Sequence, residues 1–207
     1  MATAPANTPA SAPSHSAAPV RQLWLARHAQ PLIAPGHCYG ALDVPADPAA
    51  TLESARQLAS ALPQGLIAHH SPLQRCELLA HTLQGLRPDL VSKPDTRLAE
   101  MDFGAWEGRP WDDIGHTALD AWTADFAAHR PGGGENLVAV LARVAAALQA
   151  ARQTARRQQR DVLWITHAGV ARCVQWLVQS APGVAPRADQ WPLAAPAFGA
   201  WSTVALD

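Results

Sequence analysis

The sequence predicts an α/β fold, a three-layer sandwich with a largely parallel central sheet and a small helical or irregular cap insertion. Two observations carry this reading. Apolar runs that read as buried strands, QLWLA (22–26), GLIAH (65–69) and DVLWIT (161–166), alternate with segments of helical period. Two of the runs also sit in matching contexts, LWLARHAQP (23–31) and LWITHAG (163–169), each ending on a histidine with small or turn-prone residues after it. Strands alternating with helices form a sheet covered on both faces, whose strands are apolar on both sides.

Taken in order, the elements are these. Residues 1–20 are almost wholly Ala, Pro, Ser and Thr, without a basic start or a continuous apolar stretch. That is not the pattern of a secretory signal. It offers too little apolar surface to offset the entropy of ordering, so a disordered tail is expected and residues 21–207 are expected to form one domain. The first strand is followed by PLIAPGHCYGALDVPADP, a Pro- and Gly-rich loop. Leu52, Ala55, Leu58, Ala59 and Leu62 give Thr51–Leu62 a helical stripe. After the second strand, Ser71 and Pro72 read as a helix cap and first helical residue, and that helix runs to about Gln84. A short strand is expected near 89–93. Residues 100–134 are irregular and carry Trp106, Trp111 and Trp122. Leu137, Val140, Leu141, Val144 and Leu148 stripe a long helix after GGG. A strand at 161–166, a helix from Gly169 to about Val178 and a last strand at WSTVAL complete the chain.

Bulk properties narrow the function classes. The formal net charge is −1 over 207 residues, against the strong positive surplus of a general nucleic-acid binder or a polybasic membrane binder. No apolar run approaches the roughly 20 residues of a membrane span. Neither nucleic acid nor membrane is an expected partner. Cys38, Cys76 and Cys173 are odd in number and widely spaced, which is not a disulfide framework. No Cys-x-x-Cys or His-Glu-x-x-His motif occurs, and the adjacent His69 and His70 point to opposite faces of a strand. The expectation is a reduced, cytoplasmic protein that uses no metal or other cofactor.

Ligands of such folds bind outside the carboxyl ends of the strands. Arg27, His28, Arg75 and His167 all fall there, and Arg75 is expected to reach toward the amino end of its helix, where free N–H groups and the positive dipole end favour an anion. Two guanidinium groups and two imidazoles suit phosphate, which arginine binds bidentately. An imidazole beside two permanent cations stays neutral near pH 7 and keeps a lone pair for attack on phosphorus. The arginines and His167 would spread the charge on the equatorial oxygens. Glu100, at the head of the Trp-rich segment, is the candidate acid for the leaving alkoxide.

LARHAQ, SPLQRC, LAEMDFGAWEG, PGGGEN and VLWITHAG occur in the order found in the histidine phosphatase (phosphoglycerate-mutase-like) superfamily, which this chain resembles over residues 23–170. The resemblance implies that His28 is the phosphorylated nucleophile, that Arg27, Arg75 and His167 bind phosphate, and that Glu100 donates the proton. Ala29 departs from the glycine usual after the nucleophile, and IAPGHCYGALDVP lacks the polar loop and asparagine of the mutase branch. APGHCYGALDVP and, more loosely, EMDFGAWEGRPWDDI resemble the branch containing alpha-ribazole phosphatase, which acts on a cobalamin precursor. The implied activity is a metal-independent phosphomonoesterase on a small phosphorylated substrate, with alpha-ribazole 5′-phosphate leading. A broad phosphatase on sugar phosphates or nucleotides, and a catalytically idle phospho-ligand or partner-binding protein, are the alternatives.

Other residues carry less. His37 and Tyr39 lie in the loop near the rim as candidate substrate contacts. Asp102, Glu107 and Glu135 have no role separable from capping or surface charge, and the helix dipole accounts for Glu135. The tryptophans between Glu100 and Gly134 read singly as core, and together as a cap that stacks on a flat substrate.

Overall fold

The computed structural model describes residues 20–206, and the expected disordered tail lies, but for Val20, outside them. Five strands form one sheet in the order β3-β2-β4-β1-β5. They are β1 (Gln22–Arg27), β2 (Ile67–His70), β3 (Ser92–Pro94), β4 (Val162–Thr166) and β5 (Trp201–Ala205). β1, β2, β3 and β4 pair in parallel, and β5 closes one edge antiparallel to β1. The helices are α1 (Pro48–Ala61), α2 (Gln74–Leu86), α3 (His116–Ala124), α4 (Leu137–Gln158) and α5 (Ala168–Gln179).

Successive side chains of a strand point to opposite faces, and this rule builds the layers. Leu23 and Leu25 of β1 with Val162 and Trp164 of β4 pack into a core with Val140, Val144 and Leu148 of α4 and Val170 and Val174 of α5. Ala26, Leu163 and Ile165 face the other way, onto Ala55 and Leu58 of α1 and Leu79 and Leu83 of α2. Each of the central strands is thus apolar on both sides, as the uninterrupted runs LWLA and VLWI required. The α4 stripe expected from its period is buried throughout.

Several boundaries differ from the sequence reading. α1 starts earlier, at Pro48, because the Asp47 carboxylate caps Ala50 N at 2.7 Å and proline occupies the first turn. β2 starts later, since Gly65 has φ +75 and turns the chain. β3 is shifted to 92–94, because Leu90 N closes a turn onto Arg87 O. Its Pro94 is tolerated because β3 is an edge strand. Ser71 does not cap α2. The capped N–H is Gln74 N, and its acceptor is Asp43 Oδ1 at 2.8 Å, from the loop after β1. Residues 100–134, irregular by sequence pattern, hold the helix α3; it follows Gly115 and buries no residue fully, so its stripe is faint.

The topology sets two residues side by side. β1 and β4 are neighbours with Arg27 opposite Thr166, and His28 N continues the ladder by donating to Thr166 O at 3.0 Å. His28 and His167 are therefore the next residues of two adjacent parallel strands, delivered to the carboxyl edge of the sheet.

Candidate active site

His28 is 2 % exposed, and its ring centroid is 5.1 Å from that of His167. Its Nδ1 lies 2.7 Å from the carbonyl oxygen of Ala29. A carbonyl only accepts, so Nδ1 carries the proton and the neutral ring keeps its lone pair on Nε2. Burial, and after it the charges of Arg75 and Arg27, lowers the His28 pKa from the usual 6.5 to about 3. Ala29 meets the demand on residue 29 without strain, since Gln159 is the only described non-glycine residue with positive φ.

Arg27 at the end of β1 donates from Nη1 to Pro196 O at 3.1 Å, and its guanidinium carbon stands 3.8 Å above the ring of Phe198. Phe198 also meets His28, at 5.6 Å between ring centroids. Arg75 is wholly buried and donates from Nη1 to Leu42 O at 2.9 Å and from Nη2 to Gly40 O at 2.5 Å. Tyr39 lies beside both arginines, its ring centroid 5.4 Å from the Arg75 guanidinium carbon, and burial raises its pKa. Ion pairs among the described residues join Arg87 to Asp89, Arg97 to Asp95, Arg143 to Glu135 and Arg187 to Asp189. Among those residues neither Arg27 nor Arg75 has a carboxylate partner, so no ion pair there cancels their positive charge.

Glu100 is placed by a network of its own. Arg143 on α4 pairs bidentately with Glu135 and donates to the carbonyls of Arg97 (2.8 Å), Ala99 (2.7 Å) and Glu100 (3.3 Å). Thr166 Oγ1 donates to Leu98 O at 2.8 Å, tying the same segment to the end of β4. The Glu100 carboxylate accepts from its neighbour Met101 N at 3.1 Å and from Gly169 N, at the amino end of α5, at 2.9 Å. A Cβ on residue 169 would push that carboxylate aside, so the glycine in THAG is what leaves Glu100 in this position. Glu135 thus does more than complement a dipole: it holds the arginine that holds the Glu100 backbone.

These groups line one cavity of about 410 Å³. Arg27, His28, Arg75, Glu100, Arg172, His37 and Tyr39 form its polar part. Phe103, Trp111, Trp122, Phe126 and Trp191 form an aromatic wall. Trp111 and Trp122 are nearly parallel, 11° apart, and Phe126 continues the row against Trp122 at 23°. Trp106 instead is buried with Cys38 and Ile114 beneath the wall. The Trp-rich segment therefore divides, one ring to core and two to the cavity.

One expectation is corrected by the geometry. The amino end of α2 does not offer its first N–H to the cavity, because Asp43 takes it; the helix whose amino end borders the cavity is α5, through Ala168 and Gly169. His167 is brought against His28 but is not among the lining residues, and its Nε2 pairs with Ser71 Oγ at 2.8 Å. The same hydroxyl accepts from Leu73 N, just before α2, at 3.3 Å. Burial, then the Arg75 charge, lowers the His167 pKa well below its usual value.

Sequence reasoning missed Arg172, Trp191 and Phe198. Arg172 follows Ala168 by one turn of α5, a spacing that puts both on the cavity face. Trp191 and Phe198 sit in an Ala/Pro-rich stretch with no period to expose them.

Residues 23–195 match the family described as the histidine phosphatase superfamily (branch 1). The chain belongs to that superfamily and is a phosphatase. No curated protein matches it. Among solved structures it is similar to the mycobacterial glucosyl-3-phosphoglycerate phosphatase, at 26 % identity and a TM-score of 0.72 over 89 % of this chain and 90 % of that one. Mycobacterial hydrolase 1 is also 26 % identical, with a TM-score of 0.74 and 89 % of each chain covered. The protein TTHB049 from Thermus thermophilus is 27 % identical, with a TM-score of 0.67 over 88 % of this chain and 92 % of that one.

Proposed function

We propose that the protein is a metal-independent phosphomonoesterase working through a phosphohistidine at His28. The observation that carries the reading is the Nδ1 bond of His28 to Ala29 O, which leaves a neutral Nε2 lone pair beside two arginines with no carboxylate partner among the described residues. In the first step Nε2 forms a bond to phosphorus as the ester P–O bond breaks, and the leaving alkoxide takes a proton from Glu100. In the second step water attacks the phosphohistidine, returns its proton to Glu100 and releases inorganic phosphate. Arg27 and Arg75 stabilise the charge on the equatorial oxygens without a metal, and His167 adds an imidazole contact by exchanging its bond to Ser71 for one to the phosphoryl group.

For the substrate we propose a ring-bearing ester, led by alpha-ribazole 5′-phosphate. The aromatic wall supports it, since a flat base stacks on such faces for roughly 1–3 kcal/mol, and His37 and Tyr39 line the same cavity as the proposed sugar contacts. A second reading, a sugar phosphate with a carboxylate, is favoured by Arg172, which lines the same cavity without a carboxylate partner among the described residues, and by the similarity to the mycobacterial phosphatase. The small phosphorylated substrate fits a cytoplasmic location; among the described residues no helix is long and apolar enough to cross a membrane.

Rapid quenching of wild type with labelled substrate, in excess chelator, is expected to trap an acid-labile, alkali-stable phosphoryl group, and His28→Ala to abolish it. Label on a serine or aspartate, or turnover that needs added magnesium, contradicts the mechanism. Glu100→Gln is expected to slow an alkyl phosphate by about 10²–10⁴-fold and an aryl phosphate far less, because phenolate leaves without full protonation. Equal deficits would remove Glu100 from the acid role. Wild-type kcat/KM is expected to rank alpha-ribazole 5′-phosphate above 3-phosphoglycerate, and Trp122→Ala to lower the first by roughly tenfold, the scale of one stacked base. The reverse ranking selects the second reading.

A further inference from the structure

Glu107 lies outside the cavity lining, yet its carboxylate has an unusual set of partners. Oε1 accepts from Ala41 N at 2.8 Å and from Phe103 N at 2.9 Å. Oε2 accepts from Gly40 N at 3.1 Å and from Leu42 N at 2.5 Å. Four backbone N–H groups thus converge on one carboxylate, about the limit of its lone pairs. No arginine, lysine or histidine pairs with it among the described residues.

The segment it grips is the segment that orients Arg75. Gly40 O and Leu42 O are the acceptors of Nη2 and Nη1 of Arg75. The peptide joining residues 40 and 41 makes the link direct: its carbonyl faces Arg75 and its N–H faces Glu107. A peptide polarised from both ends binds more strongly at each. The position at 40 must be glycine, since a Cβ there would strike the Met101 carbonyl. Beyond residue 42 the same loop is fastened to α2 by Asp43, whose carboxylate takes Gln74 N.

We propose that Glu107 is a positioning residue of the phosphate site, acting on Arg75 through the peptides of residues 40–42. The chemistry explains why the carboxylate stands one peptide away. A carboxylate in direct contact would hold Arg75 but also neutralise it and compete with phosphate. Carbonyls hold the guanidinium while leaving its full charge and three of its five N–H groups for an anion. The carbonyls need their own fixing, and Glu107 supplies it at residues 40–42, between the Cys38 backbone bonds to residues 108 and 109 and the Asp43 bond to α2. Glutamine cannot replace it, since one acceptor oxygen is lost and an NH₂ is set against backbone N–H donors.

The inference rests on the phosphatase reading, and the test separates the two. Calorimetric binding of inorganic phosphate and kcat/KM on an aryl phosphate are measured for wild type, Glu107→Gln, Arg75→Met and the double variant, with thermal melts alongside. Wild type that neither binds phosphate nor turns over would overturn the site reading itself. Given an active wild type, Glu107→Gln is expected to weaken phosphate binding and lower kcat/KM on the order of tenfold, the scale of one hydrogen bond to a charged group. In the Arg75→Met background the same change is expected to cost less than about twofold, because coupled residues are not additive. An equal loss in both backgrounds, or no loss with Arg75 present, overturns the proposal. Should Glu107→Gln fail to fold, Glu107→Asp decides by the same comparison, since it keeps the acceptors and the charge and shortens only the reach.

Discussion

Two imidazoles are buried next to arginines at the end of one parallel strand pair, and the protein keeps both neutral. The hydrogen bond from His28 Nδ1 to the carbonyl of Ala29 is the constraint on which the rest depends. It selects one tautomer and one ring orientation, and burial with the Arg75 and Arg27 charges keeps the second nitrogen unprotonated down to about pH 3. In the unfolded chain histidine titrates near 6.5, so between about pH 6.5 and 3 the unfolded state binds more protons. The stability that comes with a neutral His28 is present above this window and is lost as pH falls through it.

Uncancelled arginine charge is costly to bury, and a single missing partner leaves several kcal/mol of desolvation uncompensated. The chain meets that cost with backbone carbonyls rather than carboxylates: Pro196 O for Arg27, Gly40 O and Leu42 O for Arg75. Carboxylates are held one step further out. Glu107 grips the loop that presents the carbonyls, and Glu135 grips Arg143, which grips the backbone of Glu100. Glu135 thus neutralises Arg143, outside the phosphate site, while Arg27 and Arg75 keep their charge, and an anionic ligand is left as their natural partner.

Much of this was readable in the chain. The central strands were legible because β1 and β4 are buried on both faces and so appear as unbroken apolar runs. His28, Arg27 and His167 were legible because strand ends fix position in this fold. What escaped depends on contacts distant in sequence. The cap of α2 comes from Asp43, some thirty residues upstream, so the local Ser-Pro signal misled about Ser71. Glu107 and Glu135 looked like solvated charges because their partners, the 40–42 backbone and Arg143, are invisible to local pattern. Trp111 and Trp122 could not be told from Trp106 by composition; only the packing sends them to the cavity.

The protonation state of His28 decides whether the site can act as a nucleophile. Side-chain ¹⁵N NMR of histidine-labelled protein, with His28 assigned by comparison with a His28→Asn variant, reads each ring nitrogen across a pH titration. The expected spectrum shows Nδ1 protonated and Nε2 bare from pH 7.5 down to about 4, with a change only as pH nears the lowered pKa of about 3. A His28 ring that titrates near the ordinary value of about 6.5, or one that carries its proton on Nε2, would contradict it.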